Sequence, residues 1–364
     1  MMLGRGDASH FATGYGEARA KFLAAAAGRG ARLSVEILPG HRGVEGEVLA
    51  MDIARLGTPD AAAVLLLLSG THGIEGYCGS GIQTALLRDD AFAAECVASG
   101  VALLLVHAVN PHGFSYGRRV NEDNVDLNRN FHDFNRPLPV NAAYAEIHRW
   151  LLPPEWPPSR EVEAALAAFA AQRGAAALQA AATAGQHEFP DGLFFGGTGP
   201  TWSNRALRAV LRRECAGARR VGLVDLHTGL GPVGHGEKIF AARDDADTLA
   251  RARRWWGPRV TSFYDGSSAS AALTGVLFEA VYDECPAAEY TGIALEFGTL
   301  PLGQMLDALR GDAWVRNHPD APARLVAGTG RQMRAAFYIE EDGWKNAVAR
   351  QARDTVREAI RGLR

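Results

Sequence analysis

His72 and Glu75 stand three residues apart in Ser69-Gly70-Thr71-His72-Gly73-Ile74-Glu75-Gly76, directly after the apolar run Ala63 to Leu68. His227 closes a second apolar run, Val221 to Leu226, inside Asp225-Leu226-His227-Thr228-Gly229. Two imidazoles and a carboxylate are the ligand set of a hydrolytic zinc that keeps its fourth position for water. An H-x-x-E pair alone is a weak signal, because a Glu in the first turn of a helix is ordinary start chemistry. A histidine at the end of a separate strand is what makes the pair a candidate site. Gly70 and Gly73 let the backbone turn sharply enough for His72 and Glu75 to face one point.

Between these motifs, Asp126-Leu127-Asn128-Arg129-Asn130 offers different chemistry. The planar fork of Arg129 matches a carboxylate, and Asn128 stands beside it, so the pair is a candidate clamp for a substrate carboxylate. The plainer alternatives are a loop salt bridge for this pair and a turn or helix cap for Asp126. Glu296, in Ala294-Leu295-Glu296-Phe297-Gly298-Thr299, ends another apolar stretch. Partial desolvation there would raise its pKa toward the range of a general base; the alternative is a surface Glu that ends a strand.

These residues need strands to carry them. Arg32 to Leu38 and Val44 to Ile53 read as two strands, with Pro39-Gly40 as the hairpin turn between them. Ala63 to Leu68, Val101 to Val106, Val221 to Leu226 and Gly292 to Phe297 read as central strands, ending near His72, His107, His227 and Glu296. Ligands gather beyond the carboxyl ends of strands in open α/β sheets, so one shared site is expected. Helices are expected over Phe11 to Ala27, Glu75 to Leu87 and Glu161 to Ala184, and one or two amphipathic surface helices over Gln332 to Arg364. Asn110 to Arg136 reads as a long loop. The whole reads as an α/β fold, a mixed β-sheet sandwiched by helices. One domain is expected over 1–364, with a helical Pro/Ala-rich insertion at about 137–200. The Gly-rich stretch Gly192 to Pro200 lacks the Lys-Ser/Thr ending of a phosphate loop and reads as a substrate-covering loop.

Composition narrows the classes. A chain of 364 residues with 47% hydrophobic residues can build its core without disulfides or structural metals as staples. A net charge of −3 and no basic block argue against nucleic acid as a partner. The longest apolar run, Ala61 to Leu68, is too short to cross a bilayer, so no membrane association is expected. Met1 to His10 is polar and no secretory h-region follows it. Cys78, Cys96, Cys215 and Cys285 are scattered, which fits buried, reduced thiols in the cytoplasm. The oligomeric state is not legible.

Three motifs together carry a family resemblance: Ser69 to Gly76, Arg119-Val-Asn-Glu-Asp-Asn-Val-Asp-Leu-Asn-Arg-Asn-Phe131, and Asp225 to Pro232. They resemble the zinc carboxypeptidase superfamily, which includes the aspartoacylase and succinylglutamate desuccinylase branch. More narrowly they resemble a bacterial branch known as a domain of unknown function, DUF2817. The match covers most of residues 35–300. The resemblance implies one zinc per chain on His72, Glu75 and His227, with Glu296 as general base. It implies that Asp126 fixes the first zinc histidine through a hydrogen bond. Arg119, ten residues before Arg129, is the candidate oxyanion stabiliser, with a swap of roles with Arg118 left open. One departure is that no Tyr matches the superfamily's mobile-loop position by spacing; Tyr264 and Tyr282 are the available residues.

The implied function is a zinc metallohydrolase that cleaves an amide next to a free carboxylate, acting on small peptides. Two alternatives stand beside it: an N-acyl amino acid deacylase of the aspartoacylase type, and a non-catalytic binder on the same fold. Among other polar residues, His107 and His112 read as packing or pocket wall, and His235 and Glu237 as supports of a pocket loop. Trp255-Trp256 reads as a core edge.

Overall fold

The apolar runs become the strands of one eight-stranded sheet. The computed structural model describes residues 6–364; Met1 to Arg5, part of the polar N-terminus, lie outside the described residues. The strands are β1 (Arg32–Arg42), β2 (Val48–Leu56), β3 (Ala63–Leu68), β4 (Ala102–His107), β5 (Arg220–Val233), β6 (Gly236–Phe240), β7 (Thr261–Ser262) and β8 (Glu289–Gly298). Their order is β1-β2-β4-β3-β5-β8-β6-β7. The central strands β4, β3, β5 and β8 run parallel, and β2 and β6 flank them antiparallel. Every residue of β3 and β4 is buried. Cover on both faces is why these strands are unbroken apolar runs and not alternating ones.

Helices provide that cover, so the fold is α/β with a mixed sheet between helices. The helices Tyr15–Gly28 and Asp342–Leu363 both pack on the helix Gly76–Arg88, and Asp342–Leu363 also lies on β3 and β5. Trp344, Val348, Ala352, Val356 and Ile360, spaced four apart, form its buried stripe. All four cysteines are buried and free. No helix among the described residues is long and apolar enough to cross a membrane.

Three local expectations are corrected. β1 and β2 do pair as a hairpin, but the chain reverses at 43–47, where Gly43 N–H donates to the Glu47 carbonyl at 2.9 Å. Pro39 and Gly40 lie inside β1 at a register shift between Ile37 and Arg42, with Gly40 at φ +75°. β1 is the sheet's edge, so the missing N–H of Pro39 costs no ladder bond and the glycine allows a bulge. The single helix expected over Glu161 to Ala184 is two, Arg160–Arg173 and Ala175–Thr183, broken at Gly174 with φ +94°. The loop from Asn110 to Arg136 contains a short helix, Pro111–Tyr116, begun by a proline whose missing N–H needs no partner there.

The helices Ala142–Leu151, Arg160–Arg173 and Ala175–Thr183 enclose a second, smaller core. Tyr144, Ile147, Leu151, Phe169 and Phe194 are buried in it, and Ala313 joins them from the helix Leu302–Asn317.

Candidate metal and substrate site

Parallel neighbours end on the same side of a sheet, and here that edge gathers the polar residues. Leu68 on β3 pairs with Asp225 on β5, so His227 lies just beyond the level where β3 ends. His72 follows β3 by four residues, in a turn that packs closely on the helix Pro111–Tyr116. A Cβ built on Gly73 would lie 2.1 Å from the Gly113 backbone, so only glycine fits there. The turn is tied down by Gly73 N–H and Ile74 N–H, which donate to the carbonyls of Arg119 and Arg118 at 3.1 and 2.9 Å.

The donor atoms of His72, Glu75 and His227 all lie within 4.8 Å of one another, and all three residues are buried. His72 Nδ1 is 3.0 Å from Glu75 Oε1, and His227 Nδ1 is 2.9 Å from Glu75 Oε2. The far ring nitrogens meet other carboxylates: His72 Nε2 is 3.1 Å from Asp126 Oδ1, and His227 Nε2 is 2.6 Å from Asp225 Oδ2. A proton on Nε2 held by a carboxylate leaves the Nδ1 lone pair facing inward. Two such lone pairs and a carboxylate repel one another unless a cation, proton or metal, sits among them. The donor set therefore fits a zinc ion, which accepts two imidazoles and a carboxylate.

Electrostatics follow the same geometry. Burial would raise the Glu75 carboxyl, but the imidazoles of His72 and His227 outweigh it and hold it well below the usual carboxylate range. Asp126 is likewise held far down against its burial, by Arg119, Arg129 and His72. Burial would lower His227, yet Asp225 and Glu75 lift it well above the usual imidazole range. These two imidazole-facing aspartates do equivalent work, and only Asp126 is anticipated from the sequence. Asp225 could have been found from its spacing: Asp-x-His on a strand puts both side chains on one face.

Arg119 donates from Nε to Asp126 Oδ2 at 3.0 Å and from Nη1 to Glu75 Oε1 at 3.1 Å. Its Nη2 lies 2.8 Å from His72 Nε2, where it competes with Asp126 for that ring edge. Arg118 turns away, toward Asp312 at 3.6 Å, so Arg119 is the member of the pair that lines the pocket.

Glu296 pairs in register with His227 across β5 and β8. It is partly exposed to the pocket, and Oε1 accepts from Leu230 N–H at 2.9 Å. Burial, and then the negative charge of Glu75, push its carboxyl up to about 7.

Asn128 and Arg129 face the same pocket. Asn128 Oδ1 accepts from Leu277 N–H at 3.1 Å, which leaves its amide NH2 as the donor. Arg129 donates Nε and Nη2 to the Thr183 carbonyl and Nη1 to the Asn128 carbonyl. Two of its five N–H groups remain for a ligand. Burial pulls this guanidinium down to about 10. Phe194 packs against both Arg119 and Arg129, with centroid distances of 5.3 and 5.5 Å to the guanidinium carbons. Thr183 and Phe194 have no signal in the sequence; they arrive from a segment more than fifty residues downstream. Phe194 does lie in the Gly-rich stretch read as a covering loop.

The pocket holds about 910 Å³ of empty space, part of it open to solvent. Beside the polar groups already described, Ile239, Phe263, Leu273, Met305 and Phe337 are among the apolar residues that wall it. Neither Tyr264 nor Tyr282 is in the wall: the Tyr264 hydroxyl donates to the Ala242 carbonyl, and that of Tyr282 accepts from Arg243 N–H. Glu237 pairs with Glu296 in register, but Oε1 accepts from Thr261 Oγ1 and from Ala269 N–H, so it tethers the loop that carries Ser270 and Leu273. His107 is a core residue, stacked on Phe22 at 4.6 Å with Nε2 2.8 Å from Ser80 Oγ, and burial holds it down at about 4. His112 stacks on Tyr116, and Trp256 is buried as a core edge.

An α/β sheet that gathers a buried His-Glu-His cluster at its carboxyl edge defines a protein built around a candidate mononuclear metal site. The chain belongs to the family described as protein of unknown function, DUF2817, whose family model matches residues 11–351. A sequence search of curated proteins finds no match. Among solved structures, the carboxypeptidase A of Helicoverpa armigera is similar at 13% identity, covering 89% of this chain and 74% of that chain, with a TM-score of 0.43. A metallo-carboxypeptidase from Pseudomonas aeruginosa in complex with (2-guanidinoethylmercapto)succinic acid shows 14% identity over 95% of this chain and 69% of that chain, with a TM-score of 0.45. A protein described as a succinylglutamate desuccinylase/aspartoacylase from Shewanella frigidimarina shows 16% identity over 84% and 72%, with a TM-score of 0.34.

Proposed function

We propose that this chain is a zinc-dependent hydrolase that cleaves an amide bond adjacent to a free carboxylate. The observation that carries the reading is the double orientation of the histidines. Each turns Nδ1 to Glu75 and Nε2 to its own buried aspartate, beside a glutamate whose carboxyl sits at about 7. His72, Glu75 and His227 would hold the zinc, which when bound would supply a Lewis acid and lower the pKa of water.

The chain's own groups do the rest. Glu296 takes a proton from the attacking water and delivers it to the amine nitrogen as the carbon–nitrogen bond breaks. Arg119 donates to the carbonyl oxygen as negative charge develops on it. Its Nη1 becomes free for that oxygen once Glu75 Oε1 has another partner. Asn128 NH2 and the two open N–H groups of Arg129 hold the substrate carboxylate. The apolar wall favours a substrate with an apolar side chain in the remaining space.

Elemental analysis of purified protein should find about one zinc per chain. The metal-loaded chain is then offered a blocked dipeptide, an N-acetyl amino acid, and the C-terminal amide of each. Turnover of either acid with rejection of its amide supports the reading and decides between peptidase and deacylase. Equal treatment of acids and amides, or no turnover of any of them with zinc bound, sinks it.

A further inference from the structure

Two arginines of the site share one aromatic ring. The guanidinium carbons of Arg119 and Arg129 both lie over the Phe194 ring, close enough for its π-electrons to attract both cations. Other bonds hold the two as well: Arg119 is tied to Asp126 and Glu75, and Arg129 to the Thr183 and Asn128 carbonyls, with Asp126 Oδ1 3.7 Å from Arg129 Nη1.

The ring is itself held in place. Phe194 has φ +51°, a left-handed backbone that a non-glycine residue adopts only where its surroundings enforce it. Leu193 N–H donates to Tyr144 Oη at 2.7 Å, which anchors one side to the second core. The Phe195 carbonyl accepts from Asp126 N–H at 2.8 Å, which anchors the other side to the aspartate behind His72. The same segment supports Arg129 through the Thr183 carbonyl, and Gly185 packs so close that a Cβ there would lie 2.6 Å from Arg129 Cδ. Phe194, like Arg119 and Leu309, lines both the main pocket and a smaller cavity beside Asn124 and Arg316.

We propose that Phe194 is a positioning residue that fixes the separation of Arg119 and Arg129. It thereby sets the distance a substrate must have between its scissile carbonyl and its carboxylate. The inference rests on the roles given to the two arginines above. It goes further in making substrate length a property of one side chain that lies in neither the metal site nor the clamp.

The test uses the metal-loaded full chain with Phe194→Leu and Phe194→Tyr. Leucine keeps an apolar side chain and is not β-branched, so it removes the aromatic face with little added backbone strain. Three substrates are compared: the acid that wild type turns over, its amide, and a homologue with one methylene inserted before the carboxylate. Phe194→Leu should lower kcat/KM for the normal acid on the order of tenfold to a hundredfold, with the preference over the longer homologue narrowed. Phe194→Tyr should keep both, and zinc content should be unchanged in either variant. Without substrate, the Nε–H NMR signals of Arg119 and Arg129 should lose their ring-current shifts in Phe194→Leu and retain them in Phe194→Tyr.

Equal losses in the two variants would mean packing and not the aromatic face, and would overturn the proposal. So would an unchanged length preference, or arginine signals that do not move. Indifference of the wild-type chain to acid and amide would instead sink the functional reading. The NMR comparison would then still decide whether the ring lies against the two arginines.

Discussion

Glu296 stands directly opposite His227 in the parallel register of β5 and β8. Neighbouring strands lie about 4.8 Å apart, so the ladder itself sets a carboxylate beside a metal-ligand candidate with no loop between them. The position of Glu296 is thus as rigid as the sheet. This rigidity is what a proton-transferring group requires, since its efficiency falls steeply with misplacement.

Glu296→Gln should therefore keep zinc and bind substrate about as well as wild type, while kcat falls about 10²–10⁴-fold. The amide has nearly the same shape and can still accept from Leu230 N–H, but it cannot take a proton at working pH. Steady-state kinetics alongside elemental analysis check this. Near-normal turnover would remove Glu296 as the base. Glu237, the acid next along the sheet, is already committed to Thr261 and Ala269.

The same residue should leave a mark on stability when metal is chelated away. Its carboxyl sits near 7 in the folded chain against an ordinary 4.5, so the folded state holds that proton more tightly than the unfolded state does. The stabilisation is full below about pH 4.5 and is lost as pH rises through 7. Glu296→Gln carries no charge at any pH. It should match wild type near pH 4 and exceed it by about 2–3 kcal/mol at pH 8, after allowance for partial exposure. Denaturant unfolding of chelated protein at the two pH values measures the gap. A gap that stays constant would mean Glu296 ionises as freely as a surface carboxylate.

His72→Ala or His227→Ala should abolish stoichiometric zinc binding, because two remaining donors do not make a zinc site. Asp225→Asn and Asp126→Asn should each weaken zinc affinity about 10–100-fold, since each removes the carboxylate that orients a ring. Competition with a chelator of known affinity reads both effects. Full zinc occupancy in both alanine variants would place the metal elsewhere.

Arg129→Ala should make the acid substrate and its amide nearly equivalent by weakening the acid. A charge-assisted hydrogen bond contributes about 1.5–3 kcal/mol, so the loss is about tenfold or more in kcat/KM. Arg129→Lys should restore little. An ammonium that reaches the Thr183 carbonyl keeps two N–H donors, but they lack the planar fork that meets both carboxylate oxygens. Undiminished preference for the acid in Arg129→Ala would move the clamp to Asn128 or to Arg119.

The legible part of this protein was local. β3 and β5 could be read because buried parallel strands are continuous apolar runs, and His72, Glu75 and His227 because two stand within a turn or two of the end of such a run and the third directly follows one inside β5. Pro39-Gly40 misled because the dipeptide has the same local chemistry in a turn and in an edge bulge; only the position of β1 at the rim of the sheet distinguishes them. Gly174 broke a helix that its alanine-rich neighbours favour on both sides. Phe194 and Thr183 were beyond local reading altogether. Their roles depend on where residues 137–200 fold back, and no spacing within that segment records Arg129 as its neighbour.

Chelation and grip come from different parts of the molecule. The sheet presents His72, Glu75 and His227, whereas the ring and carbonyl that aim the arginines come from the small core around Tyr144 and Phe169. On the proposed reading this division makes the site modular. A substitution in residues 137–200 would then alter which substrate is gripped, while the sheet kept His72, Glu75, His227 and Glu296 in place.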